Sequence, residues 1–175
     1  MTALVLGPNG SGKSAYAEKL AARLSSGAPY YIATMIPYGE EGLARVEKHR
    51  RQRESMGFIT VERPSNVSEI PLPPGAAVLL EDVSNLLSNA LFDGNHAGSE
   101  DDVFADITAL CAKCRAAVLV SIDGLTAKSE YDGETRGFLD ALNRLNQRLC
   151  GFADTVFVMR GGAPVFVKGD ARALA

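Results

Sequence analysis

The 175-residue sequence predicts an α/β fold built on a mostly parallel sheet. Apolar runs of strand type at 2–6, 30–34, 76–80 and 116–122 alternate with helical spacings at 15–24, 84–92 and 101–114, and strand–helix–strand is the unit that builds parallel sheets. The runs at 76–80 (Ala-Ala-Val-Leu-Leu) and 116–122 are continuously apolar, as strands covered on both faces are. A glycine-rich turn joins the first strand to the first helix, on the side of an α/β sheet where ligands gather.

That turn is Gly7-Pro8-Asn9-Gly10-Ser11-Gly12-Lys13-Ser14, a full match to G-x-x-x-x-G-K-[ST] with a strand before it and a helical pattern after it. Its glycines let successive backbone N–H groups turn inward around phosphate oxygens, and the helix adds its positive N-terminal end. Lys13 then neutralises the outer phosphates and Ser14 holds Mg2+. A nucleoside triphosphate site follows from the motif and its setting.

After the loop, Ala17, Leu20, Ala21 and Leu24 form one apolar stripe, and Ser25-Ser26-Gly27-Ala28-Pro29 ends the helix. The strand at 30–34 carries its C-terminal end towards the phosphates. Residues 40–56 read as a mostly solvated helix rich in Arg45, Lys48, His49, Arg50, Arg51 and Arg53. Arg45, His49 and Arg53 share one side of it. This side is either a solvated charged face or the surface that meets a triphosphate. Residues 58–62 alternate as a strand, and 64–74 is a proline-bearing connection with at most a short helical turn.

The buried strand at 76–80 ends in Glu81-Asp82, where phosphate-loop enzymes hold the magnesium shell. The alternative is a strand-end acid capping the next helix. A helix follows at 84–92, then a polar loop at 93–99 in which His96 is solvated. The helix at 101–114 turns Val103, Ile107, Leu110 and Cys111 inward; 123–135 is a polar stretch long enough for a lid or substrate loop. A helix at 138–149 and strands at 155–160 and 164–168 around Gly161-Gly162 complete the chain, the last two as an antiparallel hairpin. The final residues, 169–175, are expected to fray.

Composition sets the bounds: 46 % apolar residues and no compositional break suit one domain over 1–175. A net charge of −3 argues against a broad nucleic-acid surface and leaves room for a local basic patch. No apolar run approaches a membrane span and no charged leader precedes the first strand, so the expected location is the cytoplasm. Cys111, Cys114 and Cys150 make an odd count, suited to reduced thiols. Cys111 and Cys114 lack the second pair that a zinc site needs and read as buried thiols.

Taken together, the motifs resemble the bifunctional adenosylcobinamide kinase/adenosylcobinamide-phosphate guanylyltransferase family of cobalamin biosynthesis. The resemblance rests on the phosphate loop, Tyr31-Ile32-Ala33-Thr34, Arg45-Val46-Glu47-Lys48-His49-Arg50, Thr60-Val61-Glu62, Leu79-Leu80-Glu81, and Asn89 with Leu91-Phe92. Phe138-Leu139-Asp140, Asn146-Gln147-Arg148-Leu149 and Ala153-Asp154 extend it. The chain departs from the family pattern at Ile122-Asp123-Gly124-Leu125, where the family carries Asn-Glu-Val-Gly, and in having no tryptophan.

The resemblance implies a RecA-like phosphate-loop fold, a homotrimer, a corrinoid substrate, and GTP, ATP and Mg2+ as nucleotides and metal. It implies two reactions: phosphorylation of the aminopropanol hydroxyl of adenosylcobinamide, and transfer of GMP from GTP to the resulting phosphate. The family's guanylylated histidine falls on His49. Thr34, Met35, Ile36, Arg50, Arg53, Glu62 and Glu81 fall around the guanosine nucleotide. A neutral imidazole is a competent nucleophile, and cations at Arg45 and Arg53 favour the uncharged ring and offset phosphate charge. Two other readings stand beside this one: a kinase of a single activity with His49 a bystander, and a nucleotide-dependent regulatory protein of RecA-like fold.

Overall fold

The computed structural model describes residues 1–37, 56–94, 98–125 and 131–169. His96, the segment 170–175 and, except for Met56, the helix expected over 40–56 with Arg45, His49, Arg50 and Arg53 lie outside them.

Seven strands form one sheet: β1 (Thr2–Gly7), β2 (Tyr30–Ala33), β3 (Ile59–Glu62), β4 (Ala77–Glu81), β5 (Ala116–Ile122), β6 (Thr155–Arg160) and β7 (Ala163–Lys168). Their order is β3-β2-β4-β5-β1-β6-β7. All pairings are parallel except β6 with β7. Every residue of β1 is buried, and β5 is buried up to its last residue. Both therefore carry apolar side chains on both faces, which is why they read as continuous runs rather than alternating ones.

Helix α1 (Lys13–Leu24) covers one face of the sheet alone among the described helices. Its Ala17, Leu20 and Ala21 pack with Val5, Leu79, Val118 and Phe157. Helices α2 (Val83–Phe92), α3 (Glu100–Lys113) and α4 (Gly133–Phe152) cover the opposite face. There Leu87, Ile107, Leu110, Leu142, Leu145 and Leu149 close over Leu4, Leu80 and Leu119. A short 3-10 turn, Val67–Glu69, interrupts the proline-bearing connection. Asp106 of α3 holds it by accepting the N–H groups of Val67 at 2.7 Å and Ser68 at 2.8 Å.

The starts of α2, α3 and α4 are set by side-chain oxygens that satisfy free first-turn N–H groups. Ser99 and Asp102 form a reciprocal capping box at α3. Asp132 accepts from the Thr135 N–H at 2.7 Å and starts α4 at Gly133, five residues before the first apolar position of the expected helix. The polar stretch expected over 123–135 gives up its last three residues to this helix. At the other end of α4, Lys168 of β7 donates to the carbonyls of Cys150, Gly151 and Ala153 at 2.7–2.8 Å, a cation where the helix dipole favours one. Gly161 and Gly162 both take positive φ, 55° and 80°, the conformation that a two-residue hairpin turn requires at both positions.

Candidate active site

The phosphate loop leaves β1 at Gly7 and enters α1 at Lys13. Gly7 is crowded: a Cβ there would lie 2.7 Å from Ser11 Oγ and 2.9 Å from Met159 Cβ. Gly10 and Gly12 take φ of 73° and 84°, accessible to glycine at little cost. Gly12 is the N-cap of α1, and no side chain caps that end. The first N–H groups of α1 are therefore available to an anion. Lys13 is 7 % exposed, and its Nζ donates to the Pro8 carbonyl at 3.4 Å, folding the ammonium back over the loop.

Glu81 reaches the loop from the C-terminal end of β4. Ser14 Oγ donates to Glu81 Oε1 at 2.5 Å, joining residues 67 positions apart in sequence. Burial pushes the Glu81 carboxyl up to about 7. The Ser14 hydrogen bond and the Lys13 charge pull it down less than burial raises it, and Asp82 and Glu18 add to the rise. Its second oxygen, Oε2, is buried without a hydrogen-bond partner. An orphaned carboxylate oxygen beside a serine hydroxyl is a hard-oxygen donor pair of the kind Mg2+ takes alongside nucleotide phosphates. The residues present fit that ion.

Asp82, one position on, is spent differently. Its Oδ1 accepts from Ser84 Oγ at 2.6 Å and from the Asn85 N–H at 2.7 Å, making it the N-cap of α2. Thr34 is wholly buried beneath the pair. Its hydroxyl accepts from the Asp82 N–H at 2.9 Å and lies 2.8 Å from the Asp82 carbonyl. Asn89 of α2 donates to the Thr34 and Pro64 carbonyls at 2.8 and 3.0 Å, tying the ends of β2, β3 and β4 to one helix. The Asp123 N–H donates to the Gly7 carbonyl at 3.2 Å and ties the end of β5 to the start of the loop.

These strand ends enclose a cleft of about 590 Å³. Among the residues expected at the site, it brings together Asn9, Gly10, Lys13, Ser14, Met35, Glu62, Glu81 and Asp82. Gly7, Pro8, Ser11, Gly12, Thr34 and Ile36 do not line it; Thr34 acts from beneath, by fixing Glu81-Asp82. Sequence reasoning missed Glu18, Tyr31, Ala33, Pro37, Ser84, Asn85 and Ile122 as cleft residues. Asn85 was findable, since an N-cap at Asp82 places the third residue of the helix beside the strand end. Tyr31 owes its place to an edge-to-face contact with Phe58, ring centroids 6.0 Å apart, which no local signal encodes. Cys111 and Cys114 are thiols pushed up to about 12 and about 11, mainly by burial. That makes them poor nucleophiles and poor metal ligands.

The family model for cobinamide kinase/cobinamide phosphate guanyltransferase matches residues 3–167. The bifunctional adenosylcobalamin biosynthesis protein CobU of Salmonella typhimurium is 30 % identical over 189 aligned positions, which cover 96 % of this chain and 100 % of that protein. In fold, the chain is similar to flagellar accessory protein FlaH from Methanocaldococcus jannaschii, with TM-score 0.51 and 12 % identity over 97 % of this chain and 78 % of that one. An ATPase from a bacterial type III secretion system gives TM-score 0.51 and 12 % identity over 91 % of this chain and 51 % of its own. Both support a RecA-like architecture.

Proposed function

This chain belongs to the cobinamide kinase/cobinamide phosphate guanyltransferase family, and from that premise we propose how its residues divide the two reactions. It is a cobinamide kinase and cobinamide phosphate guanylyltransferase of cobalamin biosynthesis, a nucleotide-dependent transferase. The observation that carries the site is the closure of the phosphate loop by β4, with Ser14 and Glu81 2.5 Å apart beside the buried ammonium of Lys13.

In the kinase reaction the uncapped start of α1 and the N–H groups of the loop hold the donor's phosphates, and Lys13 offsets charge as the terminal phosphoryl moves. Ser14 and Glu81 are the residues that would hold Mg2+, which supplies charge neutralisation on the phosphates. Asp82, expected with them in the metal shell, contributes by holding α2 in place. The acceptor is the aminopropanol hydroxyl of adenosylcobinamide. The donor is ATP or GTP.

In the transfer reaction His49 attacks the α-phosphorus of GTP, pyrophosphate leaves, and the phosphorus–nitrogen adduct passes GMP to the phosphate of the corrinoid. Arg50 and Arg53 lie on the same segment and offset phosphate charge. Met35 and Glu62, at the ends of β2 and β3, face the cleft where the guanosine would lie. The proposed setting is the cytoplasm, where both nucleotides are made, and the proposed assembly is the homotrimer that the resemblance implies.

Labelling with α-phosphate-labelled GTP tests this division. The parent chain should form a covalent GMP adduct that is acid-labile and alkali-stable, and His49→Ala should lose the adduct while still phosphorylating cobinamide. Labelling that persists in His49→Ala would move the nucleophile elsewhere.

A further inference from the structure

Helix α2 leads out of the nucleotide cleft. Its first turn sits at the cleft, where Asp82 caps it and Ser84 and Asn85 line the wall. Along the helix only Asn85, Ser88, Leu91 and Phe92 are not buried. Their spacing of three, three and one places them on one face. The face is polar at the cleft and apolar beyond: Leu91 is 37 % exposed and Phe92 53 %.

The apolar end is built into the fold. The Phe92 ring lies against Phe138 of α4, with centroids 6.1 Å apart, and Phe138 packs on the core in turn. Leu125, three residues past the cleft-lining Ile122, packs on the same core cluster. From Asn85 to Phe92 the helix rises about 10 Å. A ligand seated on Leu91 and Phe92 is thus within reach of the phosphate loop only if it carries an arm of that order.

We propose that this face of α2 seats the corrin macrocycle of the acceptor, with its aminopropanol arm directed back past Asn85 to the phosphates. The proposal rests on the function assigned above and names where that function's second substrate binds. A broad macrocycle with apolar faces, an amide-bearing rim and one pendant alcohol matches a face that is apolar at one end and amide- and hydroxyl-bearing at the other. Burial of the ring supplies affinity, and Asn85 and Ser88 supply hydrogen bonds to the amides.

Steady-state kinetics with cobinamide and GTP test it on Phe92→Ser and Leu91→Ser. Val167→Ser is the control, since Val167 lies on β7 at the far edge of the sheet. The expected result is a rise of about tenfold or more in the KM for cobinamide in Phe92→Ser, from loss of one buried aromatic face. The KM for GTP should not move, Val167→Ser should match the parent, and Phe92→Tyr should restore most of the affinity. Cobinamide titrated onto the GTP-free chain and followed by corrin absorbance should show the same shift. An unmoved cobinamide KM in both serine variants, with a parent that turns cobinamide over, overturns the placement and leaves the function standing. A parent that neither phosphorylates nor binds cobinamide overturns both. A change of sedimentation coefficient in Phe92→Ser makes the face an interface between copies and overturns the placement.

Discussion

The phosphate loop and the acidic end of β4 meet in one cleft yet are built on opposite principles. The loop works through backbone: Gly10 and Gly12 hold positive φ, Gly7 admits no side chain, and one ammonium, Lys13, is folded over the result. The end of β4 works through two neighbouring carboxylates whose fates diverge. Glu81 is bonded to Ser14 through one oxygen and has the other buried and unpartnered, whereas Asp82 caps α2 through its Oδ1. Two adjacent acids of similar chemistry are separated by the elements they serve: Glu81 ends β4 and faces Ser14, whereas Asp82 is the N-cap of α2. A carboxylate oxygen without a protein partner sits beside one that satisfies a helix start.

The largest effect expected from dismantling this arrangement belongs to the loop. Lys13→Ala removes the charge that offsets the phosphates, and charge-assisted bonds to phosphate are strong. Nucleotide turnover should fall by about a hundredfold or more, with little loss of thermal stability. A variant that consumes GTP at the parental rate would exclude the loop as the site of turnover.

Glu81 comes next, and its signature is a pH dependence. Its folded-state value, about 7 against an ordinary 4.5, means that the native chain keeps a proton which the unfolded chain has released between those values. Stability contributed by this group is full below about 4.5 and is lost as pH rises through about 7. Over the whole window the loss is about 3 kcal/mol. Glu81→Gln should abolish that component: the stability difference between variant and parent should grow in the variant's favour from pH 4.5 to 8 in urea unfolding, while kinase turnover falls. A constant difference across this range would show that burial does not govern the group.

Much of this was legible in the sequence, because local signals encode it. The loop motif, the doubly buried strands β1 and β5 and the Gly161-Gly162 hairpin all sit where pattern places them. The early start of α4 was not read, since Asp132 caps a turn of Gly133, Glu134, Thr135 and Arg136 that carries no apolar residue to announce a helix. The role of Thr34 was not legible either. A strand-end threonine looks the same whether its hydroxyl faces a nucleotide or clasps the neighbouring strand, and only the β2–β4 pairing decides. Tyr31 and Ile122 enter the cleft through tertiary packing for the same reason.

The smallest expected effect lies at Asp82, and it separates the two acids most cleanly. Its Oδ1 satisfies the Asn85 N–H and the Ser84 hydroxyl, so Asp82→Ala leaves the first turn of α2 with an unsatisfied donor. Loss of such a cap costs about 1 kcal/mol, to be read as a lower urea midpoint at unchanged slope. Asp82→Asn keeps a capping oxygen and should recover most of the loss. If Asp82 instead belonged to the metal shell, Asp82→Asn would repair stability but not activity, and the magnesium concentration for half-maximal turnover would rise in both variants. A cap predicts that Asp82→Asn restores both together and leaves the magnesium requirement at the parental value, because the residue acts by holding α2, and with it Ser84 and Asn85, against the cleft.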